Sequence, residues 1–106
     1  MIFKKLVDRL FKKDPLDSFL NELFAGGDGT SFENAVIIKA KTSSEGISNE
    51  YMFISMLYGN PDKDWELLKQ SLADHQNKSY DVMKIKLKNG EVKEVFFDIT
   101  NFYGKI

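Results

Sequence analysis

The sequence predicts an α+β domain in which two N-terminal helices precede a ββαββ unit whose four strands form one mainly antiparallel sheet. Three observations predict it. Apolar residues recur at helical spacing over residues 1–25, two β-rich runs follow a glycine-rich segment, and an Asn-Gly turn sits between alternating residues near the C-terminus. The chain has 106 residues, the size of one domain that hides roughly 60–70% of its unfolded surface. Residues 1–25 read as its helical segment, 26–33 as a linker and 34–106 as the ββαββ unit.

The first helix is read from "IFKKLVDRLFKK", residues 2–13. Ile2, Phe3, Leu6, Val7, Leu10 and Phe11 fill one arc of a helix, and Lys4, Lys5, Asp8, Arg9 and Lys12 fill the other. The second helix is read from "DPLDSFLNELFAGG". Asp14 caps it, Pro15 suits the first helical position, and Leu16, Phe19, Leu20, Leu23 and Phe24 share a face. Gly26 or Gly27 supplies the left-handed stop.

Beyond "AGGDGTS", the run "NAVIIKAK" is rich in β-branched residues and "EYMFISMLY" is apolar on both alternating sets, so both are expected as strands. The polar "TSSEGISN" between them is expected as their hairpin loop. "NPDKDWELLKQSLADHQNKS" is expected as a helix, with Trp65, Leu68 and Leu72 at helical spacing behind Pro61 and Asp62. In "YDVMKIKLKNGEVKEVFFDIT", Asn89-Gly90 predicts a two-residue hairpin turn. An unbroken ladder from that turn would set Ile85 against Glu94, so a β-bulge is expected near Lys93-Glu94, pairing Ile85 with Val95 and Met83 with Phe97. The element order differs from the βαββαβ arrangement.

Charge and composition narrow the function. The net charge is −1. Residues 1–13 carry a net +4, which leaves −5 for the rest. No apolar run reaches the roughly 18 residues of a bilayer span, and the charged N-terminus fits neither a secretory signal nor an Arg- and Ser-rich presequence. The chain has no cysteine, which excludes a disulfide framework, a thiolate metal site and a Cys nucleophile and suits a cytoplasmic setting.

No candidate chemistry survives inspection of its neighbours. His75 is the only histidine and is expected to end a helix near its negative pole, out of reach of Asp74. A zinc site would need more ligands than one His. Asp62, Asp64 and Glu66 are expected to stabilise a first helical turn rather than hold a cation. "GGDG" lacks the Lys-Ser/Thr ending of a phosphate loop, and Ser43 and Ser44, near Glu45, have no base placed beside them. A pocket holding Glu45, Asp98 or His75 would be the place for an unrecognised enzyme site.

Lys84, Lys86 and Lys88 alternate along one strand, and Lys39 and Lys41 share a phase along another. Glu91 and Glu94 across the hairpin offset them, so nucleic-acid binding is not expected. Phe96, Phe102 and Tyr103 near the C-terminus, together with Lys84, Lys86 and Lys88, form the expected contact surface. No catalytic residue, cofactor or metal is assigned. The expected function is a small non-catalytic protein-interaction module, with leftover apolar surface suited to a homodimer. The alternative is a peripheral membrane-surface module using residues 2–13. The packing account expects Phe3, Leu6, Leu10 and Phe11 to lie on the sheet's second face, towards which Ile37, Val82 and Phe96 point.

Overall fold

The computed structural model describes residues 15–105, with the side chains of Pro15 and Leu16 left aside. The expected helix over 2–13, its packing on the sheet and its membrane alternative all lie outside the described residues. The chain forms α1 (Pro15–Leu23), β1 (Phe24–Gly26), β2 (Val36–Ile38), α2 (Ser43–Tyr58), β3 (Trp65–His75), β4 (Lys78–Leu87) and β5 (Val92–Asp98). The fold is α+β. The sheet has five strands in the order β1-β2-β5-β4-β3, and it is mixed, because β2 runs parallel to β5 while every other pair is antiparallel.

Two predicted elements exchange type. The segment expected as a loop and second strand is one helix, α2. Thr42 caps it by accepting a hydrogen bond from the Glu45 N–H at 3.2 Å, and Gly46, Asn49, Glu50, Phe53 and Ile54 are its buried face, the i, i+3, i+4, i+7 spacing of a packed helix. Ser43, Ser44 and Glu45 therefore form its first turn rather than a hairpin loop. The segment expected as a helix is β3. Its long pairing with β4 overrides the helical preference of its Glu, Leu, Lys and Gln residues. Gln76 and Asn77, with φ of 50° and 65°, make the tight turn that joins the two strands. Asp62, Asp64 and Glu66 accordingly lie in a turn and at the start of a strand, not in a helix.

The β4–β5 hairpin is present, with a different register from the one expected. Gly90 alone takes a left-handed φ, 91°, and its N–H bonds to the Leu87 carbonyl at 2.9 Å. Lys88, Asn89 and Gly90 thus form a three-residue loop, and Leu87 faces Glu91. The extra residue is taken up in the turn, so β5 needs no bulge near Lys93-Glu94. Met83 pairs with Val95, Ile85 with Lys93, and Glu94 lies opposite Lys84. The bulge in this sheet is at Leu68 in β3.

The core lies between α2 and one face of the sheet. Phe53 meets Phe24 edge-on at 5.5 Å and Phe97 at 5.8 Å, and Leu20, Val36, Ile38, Trp65, Met83, Ile85 and Val95 close around them. Burying each large apolar side chain contributes roughly 1.5–3 kcal/mol. The second face is covered in part by the loop between β1 and β2. Its Phe32 ring stacks on His75 at 4.5 Å and meets Tyr80 and Phe96 edge-on at 4.9 and 5.0 Å. Among the described residues, no helix is long and apolar enough to cross a membrane.

The chain end packs against the start of α2. Ser43 donates from its N–H and its hydroxyl to the Lys105 carbonyl at 2.8 and 2.6 Å. Phe102 is buried with its ring against Gly46, where an added Cβ would overlap it. Gly46→Ala should therefore destabilise the protein by about 1–3 kcal/mol through overpacking, although alanine is the better helix former by ~1 kcal/mol. Denaturant unfolding measures the balance, and a stabilised variant would contradict this packing.

Candidate interaction edge and a buried acid pair

Among the described residues the long open edge of the sheet is β3, and the ladder beside it fixes which backbone groups it exposes. The Leu87 N–H bonds to the Glu91 carbonyl at 2.7 Å and the Ile99 N–H to the Ser79 carbonyl at 2.9 Å. Odd-numbered residues of β4 thus turn their backbone groups towards β5. Lys78, Tyr80, Val82 and Lys84 turn theirs towards β3, where they face His75, Ala73, Ser71 and Lys69. The residues in between, Gln70, Leu72 and Asp74, point their N–H and C=O groups away from the sheet. Among the described residues no backbone group pairs with them. Beside this row Leu72 is 63% and Leu68 46% exposed. The opposite edge, β1, has only three residues.

Beneath the β3 edge, on the α2 side, sits a pair of buried acids. Glu50 and Asp81 are 1% and 2% exposed. The Gln70 amide donates to Asp81 Oδ2 at 2.6 Å. With both acids ionised, the Glu50 oxygens and Asp81 Oδ1 have no donor. A proton on Glu50 supplies one, and the two carboxyls then share a hydrogen bond. Burial, followed by that bond and the charge of Asp81, pushes the Glu50 carboxyl from 4.5 up to about 10. Two carboxyls sharing a proton can serve acid–base chemistry, but this pair is sealed from solvent.

The residues singled out from sequence are dispersed. His75 ends β3 rather than a helix, stacked on Phe32, with Nε2 3.4 Å from Glu33 Oε2. A hollow of about 310 Å³ lies beside them, lined by Phe32, Glu33, His75, Gln76, Lys78 and Tyr80. Asp98 is buried at the end of β5, where it accepts from the Thr100 N–H and hydroxyl at 3.0 and 2.6 Å and pairs with Lys78 at 3.8 Å. Glu45 is exposed in α2, and of Glu45, Asp98 and His75 it is His75 that lines this hollow. Asp64 accepts from the Asn60 N–H at 2.8 Å. Among the described residues no three His, Cys, Asp or Glu side chains are grouped to hold a metal ion.

Of the expected contact surface, Phe102 is core, 3% exposed, and so cannot take part. Phe96 is half-buried under Phe32, and Tyr103 is 51% exposed. Lys84 lies between Lys69 and Glu94, and Lys86 between Glu66 and Val92. Lys88 sits in the hairpin loop, and Lys39 Nζ is spent on the Asn21 carbonyl at 2.7 Å. No continuous basic face results.

Sequence reasoning missed Glu50, Asp81 and Phe32. The signal for Glu50 was Thr-Ser-Ser-Glu at 42–45, a capping pattern that starts a helix and puts Glu50 on its buried face. Asp81 was visible as a polar residue in phase with Met83 and Ile85. No local pattern marked Phe32.

Two outcomes follow from these geometries. Because Glu50 is raised in the fold, its contribution to stability is complete below about pH 4.5, falls by about 1.4 kcal/mol per unit above it, and levels off near pH 10. Glu50→Gln carries its donor at every pH, so it should remove this slope and be about 3–4 kcal/mol the more stable at pH 7. Parallel unfolding curves against pH would contradict a shared proton. Ser71→Pro should cost about 3 kcal/mol or more by deleting a donor aimed at β4, while Leu72→Pro, deleting one aimed at solvent, should cost less than half of that. Thermal unfolding of the two variants reads the difference directly.

Comparison of the chain with family models, curated proteins and solved structures finds no match.

Proposed function

We propose that this chain is a non-catalytic protein-interaction module that works by adding a strand of another polypeptide to the free edge of β3. The observation that carries the reading is the row of outward N–H and C=O groups at Gln70, Leu72 and Asp74, flanked by exposed Leu68 and Leu72. Backbone groups of this kind give an added strand its affinity, and alternate side chains give it selectivity. Several candidate reacting groups are already engaged. The Ser43 hydroxyl is spent on Lys105, and the two buried acids are closed to substrate. Lys84 and Lys86 flank the edge on the second face, where Glu66 and Glu94 balance them. The absence of cysteine fits a cytoplasmic setting.

The test is crosslinking in the cells that make the protein. A photo-reactive residue at Asp74 should give adducts with polypeptide on illumination, and Leu72→Pro, which deletes the central donor, should abolish them. Adducts no more abundant than those from Val92, which is exposed at the far end of the β4–β5 hairpin, would overturn the reading. Adducts unaffected by Leu72→Pro would also overturn it, since they would need no strand pairing.

A further inference from the structure

We infer that the strand received by β3 is the β3 of a second copy of this chain, paired antiparallel about a two-fold axis through Leu72. The inference rests on the strand-addition reading and supplies its partner. A two-fold axis perpendicular to a sheet sets one residue opposite its own copy. Ser71 as that residue would bring Asp74 to the bulge at Leu68, and Ala73 would bring Gln70 to the turn residue Gln76, which leaves the residues with outward groups. The candidate centres within β3 are thus Gln70, Leu72 and Asp74.

Register chooses among them. Centring on Gln70 runs Leu72 into the bulge at Leu68, where the register of β3 shifts and an added ladder breaks. Centring on Asp74 sets Leu72 against the partner's Gln76, which belongs to the positive-φ turn and offers no strand. Centring on Leu72 avoids both faults, because Lys69 to His75 is the unbroken stretch of β3 and Leu72 is its midpoint. Every outward N–H and C=O of Gln70, Leu72 and Asp74 then finds a partner, with Gln70 against the partner's Asp74 and Ser71 against the partner's Ala73. Gln70 and Asp74 are an amide and a carboxylate, able to bond side chain to side chain. Leu72, at 63% the most exposed large apolar residue described, covers its own copy. The one basic approach is Lys69 to the partner's His75, and Glu33 stands 3.4 Å from that histidine's Nε2.

A strand pair alone is a small interface, so the association belongs to the weak class, with a Kd of roughly tens to hundreds of micromolar. Sedimentation of the full chain from about 1 to 300 µM should show a monomer of 12.2 kDa passing to a dimer. Leu72→Lys, which leaves the backbone unchanged, should stay monomeric across that range. Because the chain has no cysteine, single cysteines read the register. Leu72→Cys should oxidise to a covalent dimer, since residues in a hydrogen-bonded pair lie at a Cα separation of ~5.5 Å, within disulfide range. Gln70→Cys, set four residues from its own copy, should do so at least tenfold more slowly. Wild-type monomer at every concentration, dimerisation undiminished by Leu72→Lys, or equal oxidation at the two positions would overturn the proposal. Crosslinks from Asp74 to other polypeptides beside a strictly monomeric chain would overturn the second copy and leave strand addition standing. Absence of both would overturn both.

Discussion

Phe53 is the contact on which the two halves of the sheet depend. Among the described strands the seam between β2 and β5 is the one parallel pairing, and its ladder registers Val36 with Phe97 and Ile37 with Asp98. Backbone pairing that short cannot by itself hold β1 and β2 to the β3–β4–β5 meander. Phe53 spans the seam, edge-on to Phe24 on one side and to Phe97 on the other. Such aromatic pairs contribute about 0.5–1.5 kcal/mol each beyond the area they bury. The position of α2 follows from that ring, and with it the burial of Glu50 over Asp81 and of Gly46 under Phe102.

How much of this was legible depends on whether the signal was local. The second hairpin was visible, because Asn89-Gly90 and the alternation of Met83, Ile85, Val95 and Phe97 need no distant partner. Its register was not, because the same dipeptide serves both a two-residue turn and a three-residue loop with glycine last. The helix at α1 was also local, from Pro15 and the spacing of Leu20 and Leu23. For α2 the alternating apolar pattern of 51–58 competed with the capping pattern at 42–45. The cap and the small Gly46 decided it, since only a helix lets Phe102 lie against that glycine. The acid pair was half legible. Asp81 stood out on an apolar phase, but nothing in the sequence brought Glu50 to it.

The misreading of β3 has a physical origin that also accounts for its surface. Trp65, Leu68 and Leu72 share one face on a helical period, but the strand distributes them differently. Trp65 is buried and donates from Nε1 to the Gly59 carbonyl at 2.8 Å, whereas Leu68 falls at the bulge and Leu72 at the open edge. Residues that would line a buried helical face therefore become the apolar part of an edge.

An edge strand that must avoid other chains uses charge, proline, shortness or bulges to do so. β1 meets this by its length of three residues. β3 uses its bulge and Lys69 only at one end, and from Lys69 to His75 it runs regular and, among the described residues, unpaired outside. Gln70 links that stretch to the core, because its side chain is held by Asp81 while its backbone faces outward. The edge is thus braced from below by the same carboxylate that shares a proton with Glu50. A strand held in extended form before it meets its partner loses less freedom on pairing than a loose one. The buried acids place a cost on the core and spend it on keeping this edge straight.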